Sequence, residues 1–490
     1  MKNEFEHAKE SFDNITSPYS FSLDENLSST HLTPLHLSFL ESTHSASKKK
    51  GQFYTPSFIS NFIISKSFTY FLKYHPGLEK NTNKINEYFF GDIACGSGNL
   101  ILPLLGKIKY SLEALKDNNL ITNFFSNNIY CCDIDPIALW LCKIRMLFFF
   151  SFNFPKLPLP DLSTNLIKGN SLSKSSIKNN ILFDFLVLNP PYMCYGLRNS
   201  QEYTKEYKRY LRERFFSAEY KLSLYPIFIE RSLELLKNDG ILGIITPDSY
   251  LLGRYYSKIR SFILDNSQLL GVSLLGFEPF KGVTLGRPTI TFLKKNNQGH
   301  KNNKFLAQWI ESYPSMIKED WIEYPNTISN ILNDTLYRFY LFFNQEDEKN
   351  VQEWINESSH SIQDIATIHT GVRSRSRKEK IISKSKKGNT WKRGIISGSQ
   401  IKPFCLDYQN HWLNIDRSVL WSGGFDDEIV ENPKIILRQT GYHISCCVDI
   451  EGYYHLNNCH SLSPKNKDLN LYALAVILNS PEFNRLYNIL

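Results

Sequence analysis

The chain has 490 residues, a formal net charge of +8, 42% hydrophobic residues and 14% aromatic residues. That length exceeds one compact core and calls for two or three domains, and the apolar content excludes a disordered chain. The small positive charge fits a mildly basic enzyme and a phosphate-facing surface equally well, so charge alone does not choose between them.

The 34 Phe and 27 Tyr support large packed cores and leave rings for stacking on bases. Nine cysteines include the adjacent pairs Cys131–Cys132 and Cys446–Cys447, with no C-x-x-C spacing. Nothing resembles a secreted disulfide framework, so a reducing, cytoplasmic setting is expected. Cys446, Cys447, His455, Cys459 and His460 lack the spacing of zinc knuckles, and no metal is expected. The first ten residues are charged and polar rather than those of a secretory signal. The most apolar run, Ile137–Phe154, contains Lys143 and Arg145 and is shorter than the ~20 residues of a membrane span. It reads as a buried helix, and no membrane association is expected.

In chain order, residues 1–47 read as a leader with one helical stretch near Leu35–Glu41, followed by the basic run Lys48, Lys49 and Lys50. From residue 48 to 295 strand-like and helix-like segments alternate. Short apolar runs at Phe89–Ala94, Asn128–Cys132, Phe183–Leu188 and Ile241–Thr246 are separated by segments of helical period such as Ala138–Phe150 and Tyr225–Leu236. That alternation implies an α/β domain with a mainly parallel sheet, whose ligand site lies beyond the carboxyl ends of the strands. Residues 296–360 read as a connecting region. From 361 to 490, short strand-like runs with Gly turns (Ile365–His369, Lys434–Arg438, His443–Val448) predict a separate β-rich domain ending in a helix over Asn470–Leu490. No turn signal closes that helix, so the last domain is expected to be cut short.

Three strand ends carry chemistry. The first runs from Asp92 through Gly96 and Gly98, a G-x-G turn that lets the backbone approach a ligand but lacks the third glycine of the dinucleotide fingerprint. The second places Asp133 where a carboxylate can accept from ribose hydroxyls, with Asp135 and Pro136 forming a helix start; both readings of the segment can hold together. The third is Asn189, Pro190, Pro191 and Tyr192, at the end of the strand Phe183–Leu188. The Asn189 carboxamide oxygen and the Pro190 carbonyl can both accept from one amino group. Two acceptors pull an aromatic amine toward tetrahedral geometry and localise its lone pair. The Tyr192 ring can stack on a base.

With these motifs in this order, the chain resembles the gamma-class, TaqI-type DNA adenine-N6 methyltransferases of restriction–modification systems. Gly51–Pro56, containing Thr55, is similar to the motif this class places at its N-terminus; Leu235–Pro247 and Phe277–Val283 are similar to its later segments. Ile365–Gly371, Ile396–Pro403, Pro433–Arg438 and His455–Asn458 are similar to its target-recognition domain. The resemblance implies a Rossmann-like S-adenosylmethionine-dependent methyltransferase domain followed by a β-rich target-recognition domain. It implies Thr55, Asp92, Gly96, Gly98, Asp133 and Asn170 as cofactor contacts. Asn189 and Pro190 would hold the target amine, and Tyr192 and Phe280 would sandwich an extruded adenine. Asn170 stands where the family has Asp; it can still accept through its carbonyl oxygen, without the charge. S-adenosylmethionine is the implied cofactor, with no metal. Duplex DNA is the implied partner, and a separate restriction endonuclease a further one. Arg373, Arg375 and Arg377, with Lys402 and Arg438, are candidate DNA contacts. The competing readings are a methyltransferase acting on RNA or protein glutamine, and a DNA-binding homologue with impaired catalysis.

Overall fold

A computed structural model describes residues 55–489 apart from 116, 174–180, 193–203, 220–221, 281–285, 297–303, 376–380, 422–426 and 442. The helix expected near Leu35–Glu41, the basic run Lys48–Lys50, Gly51–Tyr54 and Arg377 lie outside the described residues. The chain divides into two compact units after Tyr340.

The first unit is built on a nine-stranded sheet: β1 Phe90–Asp92, β2 Ile129–Asp133, β3 Leu166–Lys168, β4 Phe183–Leu188, β5 Leu236–Pro247, β6 Ser267–Leu275, β7 Pro288–Lys295, β8 Lys304–Ile310 and β9 Ile322–Thr327. Their order is β3-β2-β1-β4-β5-β7-β6-β8-β9. The pairings from β3 through β5 are parallel. β7 then runs antiparallel between β5 and β6. The sheet does not stop at Lys295: β8 joins β6 in parallel, and β9 closes the edge antiparallel. Residues 304–327, read from sequence as the start of a connecting region, therefore belong to this sheet.

β4 shows why the sequence pattern was readable. All six of its residues are buried, as expected for a strand covered on both faces. Its one charge, Asp184, accepts the Phe89 N–H at 2.8 Å and pairs with Lys237 Nζ at 2.7 Å. The aromatic surplus goes largely into the core: Phe71, Phe90 and Phe185 pack ring on ring with centroids 5.5–5.8 Å apart. The helix Pro136–Asn153 is long and apolar enough by composition to cross a membrane. It packs on β2 and β3 as a flank of the sheet. Asp135 caps it by accepting from Ile137 N at 2.9 Å, with Pro136 as its first residue.

The second unit carries β10 Ala366–Thr370, β11 Ile382–Ser383, β12 Trp391–Ile395, β13 Ile401–Lys402, β14 Cys405–Leu406, β15 Trp412–Asn414, β16 Lys434–Arg438, β17 Cys446–Asp449, β18 Tyr454–His455 and β19 Cys459–Pro464. They form sheets of order β10-β19-β16-β17 and β11-β15-β12-β18, and the hairpin β13-β14. The expected terminal helix is two helices, Leu471–Asn479 and Pro481–Ile489. Pro481 has no N–H to continue the first, and its fixed φ suits the first position of the second.

One buried ion pair sits in this unit. Lys434 Nζ lies 2.5 Å from Asp449 Oδ2, and both side chains are fully buried. Asp449 also accepts from the backbone N–H groups of Glu451, Gly452 and Tyr453. Lys434 otherwise donates to the Val430 carbonyl. The partners are therefore unequal. Neutralising Asp449 leaves a buried ammonium with one carbonyl, whereas removing Lys434 leaves a carboxylate with three amide donors. Asp449→Asn is expected to lower the stability of the second unit by about 3–5 kcal/mol, and Lys434→Met by clearly less. Urea unfolding of the full chain compares the two; equal losses would show that the amides do not hold the carboxylate.

Candidate functional site

The strand order reverses between β1 and β4, and there the carboxyl ends of β1, β2, β3 and β4 surround an open cleft. The position follows the general rule for ligand sites in open α/β sheets.

The cleft is shaped by carboxylates that absorb the backbone amides released where the strands end. Asp92 Oδ1 accepts from Ala94 N at 2.9 Å. Asp133 Oδ2 accepts from Gly96 N and its Oδ1 from Asp135 N, both at 2.8 Å. The Gly96 bond ties the end of β2 to the turn after β1. Burial pushes both carboxyls above the usual range, Asp92 well above it; amide donors pull against this, and neighbouring carboxylates add to the rise. Gly96 has φ +52° and lines the cleft. Gly98, at φ +85°, is not among the lining residues; a Cβ there would sit 2.8 Å from Cys142 Sγ. Gly98 thus allows the turn to pack on the helix Pro136–Asn153, a role distinct from the ligand contact expected for it.

Asn170, after β3, accepts from Leu172 N at 3.1 Å and donates to the Tyr207 hydroxyl at 2.7 Å. Thr55 is buried and reaches the same cleft. Its hydroxyl accepts from Asn189 Nδ2 at 2.9 Å, and its carbonyl from Asn99 Nδ2 at 3.0 Å. The Thr55 bond fixes which way the Asn189 amide is turned. Pro190 and Pro191 continue the wall. Tyr192 lines a small adjoining pocket with Phe280. Both rings are buried, and they meet edge to face, with centroids 5.9 Å apart at 76°. They are brought together as expected, but as a closed contact rather than two parallel walls. The Tyr192 hydroxyl donates to the Ile245 carbonyl at 3.3 Å.

Two residues of the site escaped the sequence reading. Tyr207 lines the cleft from the strongly polar helix Lys205–Arg214, whose sequence gave no reason to single it out. Arg145 did leave a signal, as a charge inside an apolar run. It is buried, and its Nη1 donates to the Ser97 carbonyl at 2.7 Å and Asn99 Oδ1 at 2.6 Å. Burial lowers its guanidinium to about 10.

The candidate DNA contacts fall in two places of the second unit. Arg373 and Arg375 are exposed after β10; Arg373 lies over the Trp421 ring at 5.5 Å, and Arg375 N donates to the Val419 carbonyl. Lys402 is exposed on β13, next to Ile401, whose carbonyl accepts from Arg438 Nε at 2.7 Å. Arg377 lies outside the described residues. Cys446 packs with the helix Leu471–Asn479, while Cys447 and Cys459 lie in another cluster. Among the described residues they do not converge as a ligand set.

The first unit is an α/β domain whose sheet is parallel from β3 to β5, as in Rossmann-like folds, and a β-rich C-terminal unit follows it. Residues 127–278 match the Eco57I restriction-modification methylase family, and residues 393–488 match the TaqI-like C-terminal specificity domain. The chain thus carries an Eco57I-type methylase domain followed by a TaqI-like specificity domain. It is 29% identical over 291 residues to the type II restriction enzyme and methyltransferase RM.Eco57I of Escherichia coli, covering 51% of this chain and 28% of that one. It is 39% identical over 141 residues to the type II methyltransferase M.BstVI of Geobacillus stearothermophilus, covering 29% and 24%. The matched segment therefore spans about a quarter of each of these relatives. Among solved structures, a cryo-EM DrdV–DNA complex matches with TM-score 0.61 at 13% identity, covering 96% of this chain and 56% of that one. A nuclease-deletion mutant of the type ISP restriction-modification enzyme LlaGI, bound to a DNA substrate mimic, matches with TM-score 0.63 at 12% identity, covering 92% and 46%. At these identities the likeness is one of fold.

Arg145 anchors the loop that carries Gly96 and Gly98, so its loss should be felt there first. Arg145→Met is expected to speed amide hydrogen exchange at Gly96–Asn99 and to destabilise the first unit by about 1.5–3 kcal/mol. Exchange measured by mass spectrometry checks this; unchanged protection of that loop would show that the guanidinium does not hold it.

Proposed function

We propose that this chain transfers a methyl group from S-adenosylmethionine to the N6 amino group of adenine within a specific sequence of duplex DNA. It would serve as the modification component of a restriction–modification system, alongside a separate endonuclease. The observation that carries this reading is the Asn189 amide. It stands at the end of β4, on the wall of the same cleft as Asp92 and Asp133, and is held in one orientation by Thr55.

The donor set fits the cofactor. A half-buried carboxylate at the end of β2, an open glycine turn and the Asn170–Tyr207 pair offer acceptors and donors suited to ribose hydroxyls and an adenine edge. Bound there, S-adenosylmethionine supplies an electrophilic methyl group on a positively charged sulfur. Asn189 Oδ1 and the Pro190 carbonyl accept from the two hydrogens of the target amine and localise its lone pair for attack. Positive charge gathers on that nitrogen as its bond to carbon forms, so both acceptors bind the transition state more tightly than the ground state. The surplus proton leaves the nitrogen after transfer, and no strong base is needed.

An amino group inside a duplex cannot meet the sulfonium methyl in line, so the base must leave the stack. Tyr192 and Phe280 offer it aromatic faces once their edge-to-face contact opens. The second unit would hold the duplex, with exposed Arg373, Arg375 and Lys402 on phosphates or base edges. Arg438, already bonded to the Ile401 carbonyl, would act by shaping the β13 loop.

Two outcomes are expected. Asp133→Ala should weaken S-adenosylmethionine binding by about 1.5–3 kcal/mol through loss of charge-assisted hydrogen bonds. Calorimetric titration measures this, and a folded wild-type chain that binds no cofactor would refute the assignment. Asn189→Ala should leave cofactor binding intact and cut turnover by roughly 10²–10³-fold. Tyr192→Ala and Phe280→Ala should each weaken binding of the flipped base by about 1–3 kcal/mol, while Tyr192→Phe loses only the bond to Ile245. Tritiated methyl transfer to mixed-sequence duplex DNA, followed by digestion to nucleosides, identifies the product. Methylcytosine, or full activity in Asn189→Ala, would overturn this reading; label transferred to RNA or protein instead would redirect it.

A further inference from the structure

A second cluster of chemistry lies against the floor of the cleft, which Cys95 helps to line, and takes no part in the proposed reaction. The sulfurs of Cys95, Cys131 and Cys142 all lie within 4.8 Å of one another, and all three residues are buried. They come from three elements: the turn after β1, the strand β2 and the helix Pro136–Asn153. Neither a carboxylate nor an imidazole belongs to the group. A further soft donor, the Met146 thioether, is also buried and lies 4.0 Å from Cys142 Sγ.

We infer that Cys95, Cys131 and Cys142 form a three-thiolate site for a soft divalent cation of the zinc, cadmium and mercury class. Three sulfurs bound at about 2.3 Å around one ion stand roughly 4 Å from one another. The sulfurs are already near that spacing, so the site needs only sub-ångström contraction. Thiolate and thioether ligands select soft ions over magnesium or calcium. Charge selects divalent over monovalent: three thiolates and a 2+ ion leave one negative charge, and the buried Arg145 guanidinium, three residues on from Cys142, supplies the opposite one. Three S–H bonds break, three S–metal bonds form, and three protons pass to solvent without any change of oxidation state. All three residues are buried away from solvent, so a substrate would not reach the ion, and its role would be structural. It would cross-link the Gly96–Gly98 turn to β2 and the flanking helix, and so stabilise the floor of the cleft. The site itself does not depend on the proposed methyl transfer.

Cadmium is the probe. The full chain, reduced and carrying Cys194→Ser and Cys405→Ser to lower the number of other thiols, is titrated with Cd(II). One ion per chain should bind, with thiolate-to-cadmium absorption in the ultraviolet, a 113Cd resonance in the sulfur-rich range, and a melting temperature that rises with ion concentration. Cys95→Ala, Cys131→Ala and Cys142→Ala should each lose all three signals, whereas Cys446→Ala should keep them. Should a cluster variant fail to fold, the 113Cd resonance of the parent chain decides alone. An oxygen- or nitrogen-rich shift, no bound ion, or binding unchanged in the cluster variants would overturn the site. None of these readouts needs S-adenosylmethionine or DNA, so failure here is distinct from failure of the proposed function.

Discussion

The cleft depends on how four parallel strands let go of their backbone. Where β1 and β2 end, amides that had been paired in the sheet need acceptors, and burial leaves little water to supply them. Aspartates supply those acceptors, with Asp92 serving Ala94, Asp133 serving both Gly96 and Asp135, and Asp135 serving the first turn of the helix Pro136–Asn153. The same bonds that close the turns hold carboxylates at the floor of the cleft. Fold and site are therefore not separable here. An aspartate that binds a ligand through one lone pair is already holding a loop through another, and its replacement tests both at once. Arg145 completes the arrangement from below, bonding the Ser97 carbonyl and Asn99, while Asn99 in turn bonds the Thr55 carbonyl. A short chain of contacts thus runs from the flanking helix to Thr55, the residue that orients Asn189.

Much of this was legible in the sequence because buried parallel strands write continuous apolar runs, and their ends write Gly, Asp and Pro. Phe183–Leu188 reads as a strand without ambiguity, and Asn189 stands one residue past its end. The far side of the sheet was not legible. β8 buries Gln308, whose amide bonds Ser273 and Glu323, and β9 is an edge strand containing Pro325. Neither looks like a core strand, because Gln308 finds its partners at Ser273 and Glu323, distant in sequence. Tyr207 was hidden for a similar reason: its helix is among the most polar segments, and only the fold brings it to Asn170. The edge-to-face contact of Tyr192 with Phe280 is likewise a tertiary fact. Sequence order paired the rings but could not give their angle.

The second unit solves a different problem. Its sheets are small, and its apolar residues fall into separate clusters rather than one core. Small cores leave much of the stability to polar contacts, of which the buried pair of Lys434 and Asp449 is the extreme case. Such a pair adds little net stability over an apolar one but is costly to break, so it constrains the turn from Asp449 to Tyr453.

The same logic bears on the aromatic slot under the proposed function. Tyr192 and Phe280 touch each other now, and separating an edge-to-face pair forfeits about 0.5–1.5 kcal/mol beyond area burial. A base stacking on an aromatic ring returns about 1–3 kcal/mol. The two figures are close enough that filling the slot is only modestly favourable before unstacking from the duplex is charged against it. Stacking by itself would therefore not hold an arbitrary base out of the helix. The margin must come from groups that only the correct base satisfies, and the acceptors at Asn189 and Pro190 are of that kind: each needs an N–H, and an exocyclic amine offers two from one atom. On this reading the closed contact is a discriminator. It keeps the slot shut against a base that brings stacking alone, and yields to one that brings stacking and both hydrogen bonds together.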